Sequence, residues 1–247
     1  MYKRFHKYYL RQRFFPDLLS IVINPFYFCR KLLLKQVRLS APELSGKLLD
    51  FGCGSKPYRS LFTQVDEYIG MDIENKSHDH KNEDIDVFYD GNNIPFEDNT
   101  FDSILASEVL EHVPNIDKTL SEWRRVLKPN GKLIATVPFV WQEHEMPYDF
   151  RRFTSNGIEQ LLTEYGFNII QNRKVGSFFE VLVQMTMMYL HSIFYTKNKY
   201  ILNLFINAIF VFPVCLIGIL LVAVFPKKQI LYFDTIITAK NNGKDMK

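Results

Sequence analysis

From residue 47 onward, short apolar runs alternate with stretches whose apolar residues recur every three or four positions. The runs are "KLLDF" (47–51), "EYIGM" (67–71), "IDVFYD" (85–90), "FDSILAS" (101–107), "GKLIATVPF" (131–139), "FNIIQNRKV" (167–175) and "ILYFDTIITA" (230–239). Strand-like runs separated by helical patterns predict a parallel sheet covered by helices on both faces, an α/β fold. Between the fourth and fifth runs, Ile116, Leu120, Trp123 and Leu127 keep helical spacing, and "PNG" at 129–131 is expected to stop that helix. A second helix is expected after Thr154 or Ser155 as cap, with Ile158, Leu161, Leu162 and Tyr165 inward and Gly166 at its end.

One stretch breaks this pattern. Residues 200–226 carry no charge, lie between Lys197, Lys199, Lys227 and Lys228, and exceed the ~20 apolar residues that span hydrocarbon. The strand-like run that follows must nevertheless return to the sheet, so a single crossing is excluded if both flanks belong to one domain. Three arrangements remain: a membrane hairpin with "FFEVLVQMTMMYLHSIFY", a re-entrant pair broken at Pro213, or helices lying in the interface. Glu180, Gln184 and His191 make the first helix a costly span, and Asn203 and Asn207 weaken the second, which favours the interfacial arrangement. An apolar lid or a dimer interface is the bland alternative.

Charge adds a second asymmetry. Residues 1–40 hold nine Lys and Arg against the single Asp17, so this arm carries +8 while the rest of the chain carries −5. Together with Tyr8, Tyr9, Phe14 and Phe15, that arm suits anionic headgroups. Nucleic acid would not explain the apolar insert and is not expected as a partner. Three scattered cysteines without a CxxC pair fit a reducing compartment and argue against a zinc site. No cleavable secretory signal is expected, because "LLSIVINPFYF" is interrupted by Pro25. The chain therefore divides into a basic, aromatic arm (1–45), a sheet domain (46–176 with 229–241) and an apolar helical insertion (177–228), cytoplasmic and associated with the inner face of the membrane.

In an open parallel sheet, ligands gather at the carboxyl ends of the strands. At the first such end, "LLDFGCGSKPY", Gly52 and Gly54 permit a tight turn and close approach of backbone N–H groups, and a helix starting near Pro57 would add its dipole. "YIGMDIE" puts Asp72 at the end of the second run, 18 residues past Gly54, where a carboxylate accepts hydrogen bonds from two ribose hydroxyls. The full G-x-G-x-x-G pattern of nicotinamide dehydrogenases is not met, since Pro57 stands three after Gly54.

With "LLDFGCG", "YIGMDIE", "YDGNNIPFEDNTFDSILASEVLEHVPN" and "LSEWRRVLKPNGKLIATVP" in this order, residues 47–172 resemble the class I S-adenosylmethionine-dependent methyltransferases of type 11. The likeness extends to members associated with bacterial surface-glycan biosynthesis. It implies a Rossmann-like seven-stranded sheet with an antiparallel last strand, and S-adenosylmethionine as cofactor. Position by position, it implies that Asp50, Gly52, Cys53 and Gly54 line the methionine and ribose side, with Asp50 toward the ammonium group. Asp72 would hold the ribose hydroxyls, Asp90 and Gly91 would meet the adenine edge, Ile94 would pack on its face, and Ala106 and Ser107 would lie near the methionine. The third glycine usual in this loop is missing, "SKPY" standing there instead.

A base for an O–H or N–H acceptor is sought beyond the fifth strand, in "VPFVWQEHEMPYDFRRFT". His144, Glu145 and Asp149 are the candidates, and Arg151 and Arg152 are candidates for a phosphate or carboxylate of the acceptor. For each, the competing expectation is that the aromatics cover the sheet while the charges pair or face water. His112 is expected to be a structural cap, His78 and His80 to lie in a solvated loop, and no metal site is assigned. The expected activity is methyl transfer to oxygen or nitrogen of a small-molecule or lipid-linked acceptor, a lipid-carried sugar first and a quinone or other lipid second. A cofactor-binding membrane tether without turnover is the alternative of a different class.

Overall fold

The structure is a computed structural model that describes residues 8–73, 84–197 and 199–243. His78 and His80 lie outside the described residues. Two compact units are formed, one by residues 37–174 with 234–247 and the other by residues 1–36 with 175–233.

Helix α1 (Tyr27–Ser40) precedes seven strands that make one sheet: β1 (Gly46–Phe51), β2 (Val65–Ile73), β3 (Val87–Tyr89), β4 (Phe101–Ser107), β5 (Leu127–Pro138), β6 (Phe167–Val175) and β7 (Asp234–Asn241). Their order is β3-β2-β1-β4-β5-β7-β6, parallel from β3 through β5, with β7 antiparallel to β5. This is the Rossmann-like arrangement expected from the resemblance. It leaves the carboxyl ends of β1, β2, β4 and β5 along one edge.

The core of the sheet unit is built by the runs that predicted it. Leu49, Phe51, Ile104, Leu133, Ala135 and Ile237 from the strands pack with Leu120, Trp123, Ile158 and Leu162 from the helices, all buried. Trp123 meets Phe51 edge to face at 5.2 Å between ring centroids, and aromatic pairs in this geometry add about 0.5–1.5 kcal/mol beyond burial. Among the sheet unit's helices, α2 (Ile116–Val126) is capped by Asn115, whose side chain accepts from Lys118 N–H, and α3 (Ser155–Glu164) by Thr154, which accepts from Gly157 N–H at 3.0 Å. Gly166 follows α3 at φ 78°, the left-handed conformation that favours glycine at a helix end.

Three sequence expectations shift. The helix before "PNG" ends at Val126, and Pro129–Gly131 lie inside β5, where the register with β4 jumps from Phe101↔Leu127 to Ser103↔Lys132. The bulge holds Asn130 at φ 68°, so this turn chemistry displaces strand residues instead of stopping a helix. No α-helix starts near Pro57: a single 3-10 turn at Arg59–Leu61 is all that stands between the glycine loop and β2. A full crossover helix needs about a dozen residues, which this connection lacks, so the helix dipole expected there is absent. The last strand starts at Asp234, because Tyr232 and Phe233 are buried in the helical unit, where Phe233 N–H donates to Val175.

In the helical unit lie α4 (Phe178–Phe194), α5 (Tyr200–Ile206) and α6 (Phe212–Val224), with a π-helical segment Asn207–Val211 joining the last two. The N-terminal arm belongs to the same unit. Buried Gln184 of α4 donates to Pro25 O at 2.6 Å and accepts from the N–H groups of Phe28 and Cys29 at 3.1 and 3.3 Å. Asn207 donates to Ile23 O and accepts from His191 Nδ1, and Asn203 exchanges two hydrogen bonds with the backbone of Thr196. Glu180 accepts from Ser177 Oγ at 2.7 Å. Every polar residue that made this insert look costly for lipid therefore has a partner inside the unit.

Candidate active site

The site is assembled from the carboxyl ends of four strands. Where β1 ends, Gly52 and Cys53 donate their N–H groups to Met71 O, and Gly52 and Gly54 turn the chain at φ 70° and 47°. Gly54 N–H then donates to Asp72 Oδ2 at 2.8 Å, while Asp72 Oδ1 accepts from Ile73 N–H. The glycine turn and the strand-end carboxylate, singled out separately in the sequence, thus belong to one hydrogen-bonded loop. A side chain at Gly52 would overlap the Val109 methyls.

Lys56 stands where the third glycine was missed. It adopts φ 49°, a conformation that costs a non-glycine residue about 1 kcal/mol. Its side chain is buried, and Nζ donates to Asp86 at 2.7 Å; the same carboxylate oxygen accepts Gly70 N–H. An ion pair thereby holds the loop in the shape that glycine would have permitted, a substitution the sequence reading did not identify.

Asp50 is buried, and its carboxylate accepts the Tyr68 hydroxyl at 2.6 Å. Burial pushes its pKa up to about 7 against the opposing effect of that hydrogen bond, with the Asp72 charge adding to the rise. Cys53 is buried as well, and burial pushes its thiol up, so no thiolate is favoured there. Asp90 is exposed and accepts from the N–H groups of Asn92 and Asn93, which hold its carboxyl below the usual range. Gly91 follows at φ 81°, Ile94 is buried with its N–H on Glu122, and Ala106 and Ser107 end β4, Ser107 sharing a hydrogen bond with Thr136.

Beyond β4 and β5 the titratable groups converge. A 3-10 turn, Leu110–His112, follows β4, and the loop after β5 carries His144 and Asp149. His112 and His144 approach Nε2 to Nε2 at 3.2 Å. His112 Nδ1 lies 2.8 Å from Tyr148 O, and His144 Nδ1 lies 3.3 Å from Asp149 Oδ2. Asp149 accepts His144 N–H at 2.9 Å and forms a two-pronged pair with Arg152 at 2.5 and 2.7 Å. The Arg152 guanidinium holds the Asp149 carboxyl well below the usual range. Burial and the neighbouring His112 lower His144. Burial first, then the Glu108 charge, raises Glu111 well above the ordinary carboxylate value.

Of the acceptor-side residues, His144 and Asp149 are brought together, whereas Glu145 is exposed at φ 53°. Arg151 donates to Val113 O and Pro114 O, and Arg152 also donates to Gln142 O, so both guanidinium groups bind the chain itself. The pairing of His112 with His144 and the burial of Glu111 beside them were missed. "EVLEHV" offered the only sequence signal, an acidic residue and a histidine adjacent at a strand end.

The family profile described as methyltransferase domain matches residues 49–135. An uncharacterized protein of Methanocaldococcus jannaschii is 35% identical over 128 residues, covering 50% of this chain and 55% of that one. Demethylmenaquinone methyltransferase of Staphylococcus saprophyticus is 30% identical over 139 residues, covering 49% and 58%. The chain thus matches little more than half the length of these relatives. Among solved structures, phosphoethanolamine N-methyltransferase 2 of Haemonchus contortus, in complex with S-adenosyl-L-methionine, aligns with TM-score 0.53 at 17% identity over 90% of this chain and 55% of that one, a likeness of fold. With the strand order, the glycine turn on Asp72 and these matches together, the sheet domain is similar to the class I S-adenosylmethionine-dependent methyltransferases, and residues 49–135 carry the match to their methyltransferase-domain profile.

Proposed function

We propose that the protein transfers a methyl group from S-adenosylmethionine to an oxygen or nitrogen of a membrane-near acceptor. The observation that carries the cofactor reading is the closed loop Gly52–Gly54–Asp72 at the carboxyl edge. Its chemistry fits the ligand: Asp72 is a strand-end carboxylate oriented by the Gly54 and Ile73 N–H groups, the kind of acceptor that ribose hydroxyls need. Asp50 would supply negative charge toward the ammonium group, Asp90 and Gly91 the adenine edge, Ile94 an aliphatic wall, and Cys53, Ala106 and Ser107 the flank of the methionine. The cofactor supplies an electrophilic methyl on a good leaving group. What remains for the chain is to align the acceptor, exclude water and relieve the acceptor of its proton. The cluster around His112, His144 and Asp149 lies at the ends of β4 and β5 and is suited to that last task, with Glu145, Arg151 and Arg152 in the same loop.

A membrane-near acceptor is favoured by the helical unit's surface, where large apolar side chains are exposed while Gln184, Asn203 and Asn207 are partnered inside. Ile201–Val224 is, by length and composition, long and apolar enough to cross a membrane, and only 22% of its most apolar window is buried. Leu18, Phe205, Ile209, Ile217, Leu220 and Val224 are exposed. We read this surface as lying in the cytoplasmic face of a bilayer, helped by the basic arm. A lipid-carried sugar of surface-glycan assembly is the acceptor we favour. A quinone is the second reading, favoured by the relative named as a demethylmenaquinone methyltransferase. Incubation of the detergent-purified protein with radiolabelled S-adenosylmethionine and fractionated membrane lipids tests the choice. Label in a saccharide-bearing lipid fraction supports the first reading, label in the quinone fraction the second, and label only in water-soluble products contradicts both.

A further inference from the structure

His112 and His144 form an arrangement that no neutral pair of imidazoles satisfies. Tyr148 O can only accept, so His112 Nδ1 carries its proton and His112 Nε2 presents a lone pair toward His144. If His144 is protonated on Nδ1, beside Asp149, two Nε2 lone pairs face each other across 3.2 Å. If it is protonated on Nε2, its Nδ1 lone pair faces the Asp149 carboxylate at 3.3 Å, and that buried nitrogen has no hydrogen-bond partner. Either tautomer leaves lone pair against lone pair, and a cation removes the conflict.

Glu111 points to the same conclusion independently. Its side chain is 0% exposed, and neither carboxylate oxygen has a hydrogen-bond partner. Among the described residues the cationic candidate within 4 Å is His112 Nε2, 3.7 Å from Oε1, and the Arg152 charge acts on Glu111 without a hydrogen bond to it. An acceptor-only group buried without a donor is costly unless it is protonated or bound to a positive ion.

We propose that Glu111, His112 and His144 bind a divalent metal ion of the zinc class at the carboxyl edge of the sheet. Their ligand atoms all lie within 4.8 Å of one another. Zinc with donors at about 2.0–2.1 Å in a tetrahedron separates neighbouring donors by about 3.3 Å, close to the spacing of the two imidazole nitrogens. Two imidazoles and one carboxylate suit zinc or a neighbouring first-row ion better than magnesium or calcium. Each histidine also has an oxygen acceptor beside its other nitrogen, Tyr148 O for His112 and Asp149 for His144, the outer-shell pattern that orients metal-bound imidazoles. Three protein ligands leave a position open, which is the character of a catalytic ion. This site departs from the absence of metal expected from the sequence, where neither histidine belonged to a recognisable ligand spacing.

Its consequence rests on the methyltransferase reading. An acceptor hydroxyl oxygen in the open position would lose its proton to solvent more readily, and that oxygen would then form the O–CH3 bond as the S–CH3 bond breaks, the bonding pair staying on sulfur as the neutral thioether. The metal claim itself is tested without turnover. Tag-free protein stripped with chelator and returned to chelator-free buffer is titrated with Co2+, read by visible d–d absorption, and with Zn2+ by calorimetry. S-adenosylmethionine binding is measured on the same samples. We expect one ion per chain, with affinity falling at least about tenfold in His112→Gln and in His144→Gln, and in Glu111→Gln, while cofactor binding persists and reports folding. Substituting His78 and His80 together is expected to leave the stoichiometry unchanged. Absence of stoichiometric binding by folded protein, or binding unaffected by His112→Gln and His144→Gln, would overturn the site and leave a protonated imidazole pair as the cation. Loss of cofactor binding with metal binding intact would instead strike at the methyltransferase reading.

Discussion

Asp50 lies inside the sheet edge with the Tyr68 hydroxyl as its hydrogen-bond donor, and burial raises it to about 7. Between about pH 4 and 7 the folded state holds a proton that the unfolded chain has released. The stability from this group is therefore complete below about pH 4 and lost as pH rises through about 7. A cationic ligand favours the ionised form, so affinity for S-adenosylmethionine should rise about tenfold from pH 6 to pH 8. In Asp50→Asn the part of that rise due to this carboxyl should vanish; calorimetry at both pH values checks it, and an undiminished rise would contradict it. Lys56 carries a second prediction at this scale. Lys56→Gly loses the Asp86 ion pair but relieves the φ 49° strain, whereas Lys56→Ala loses the pair and keeps the strain. The alanine variant should be the less stable of the two by about 1 kcal/mol in urea unfolding. The glycines and Asp72 were legible because backbone conformation and strand-end position follow from local sequence. Lys56 was not, because its partner Asp86 is 30 residues away.

Among the elements, strands were read more accurately than their connections. Apolar runs located all seven strands, most plainly β1, β4, β5 and β7, whose burial on both faces leaves a continuous signature, while "PNG" was misplaced because bulge and helix stop use the same residue types. The Thr154 cap was legible in one residue: Thr154→Ala should cost about 1 kcal/mol in denaturant midpoint analysis. Gln184 was read only as a polar intrusion into an apolar helix. Its three hydrogen bonds to residues 25–29 are long-range and leave no periodic trace. In Gln184→Leu, the Pro25 carbonyl and the Phe28 and Cys29 N–H groups lose that partner, so limited proteolysis should cut the arm faster than in the parent while the sheet unit stays protected.

For the whole molecule, the basic arm and the apolar insert make sense together as one unit whose outward surface is greasy. Flotation with vesicles should show stronger association with anionic than with neutral lipid, weakened by salt, and Leu216→Asp with Leu220→Asp should reduce it on both. Equal, salt-independent recovery on both lipids would leave the arm's charge without a role. The seven-stranded order was legible through the run of motifs, because each motif names a place in the sheet. The acceptor cluster was less so: His112, His144 and Asp149 meet only where β4 and β5 end side by side. Such meetings are set by topology, which one strand's sequence does not carry.

The loop closed by Gly54 on Asp72 is expected to bind S-adenosylmethionine. Calorimetric titration of the detergent-purified protein with S-adenosylmethionine and S-adenosylhomocysteine, alongside Asp72→Ala with its fold verified by circular dichroism, tests it most directly. Saturable one-to-one binding of both ligands is expected, weakened at least about tenfold in the variant. Well-folded parent protein that binds neither ligand would contradict it.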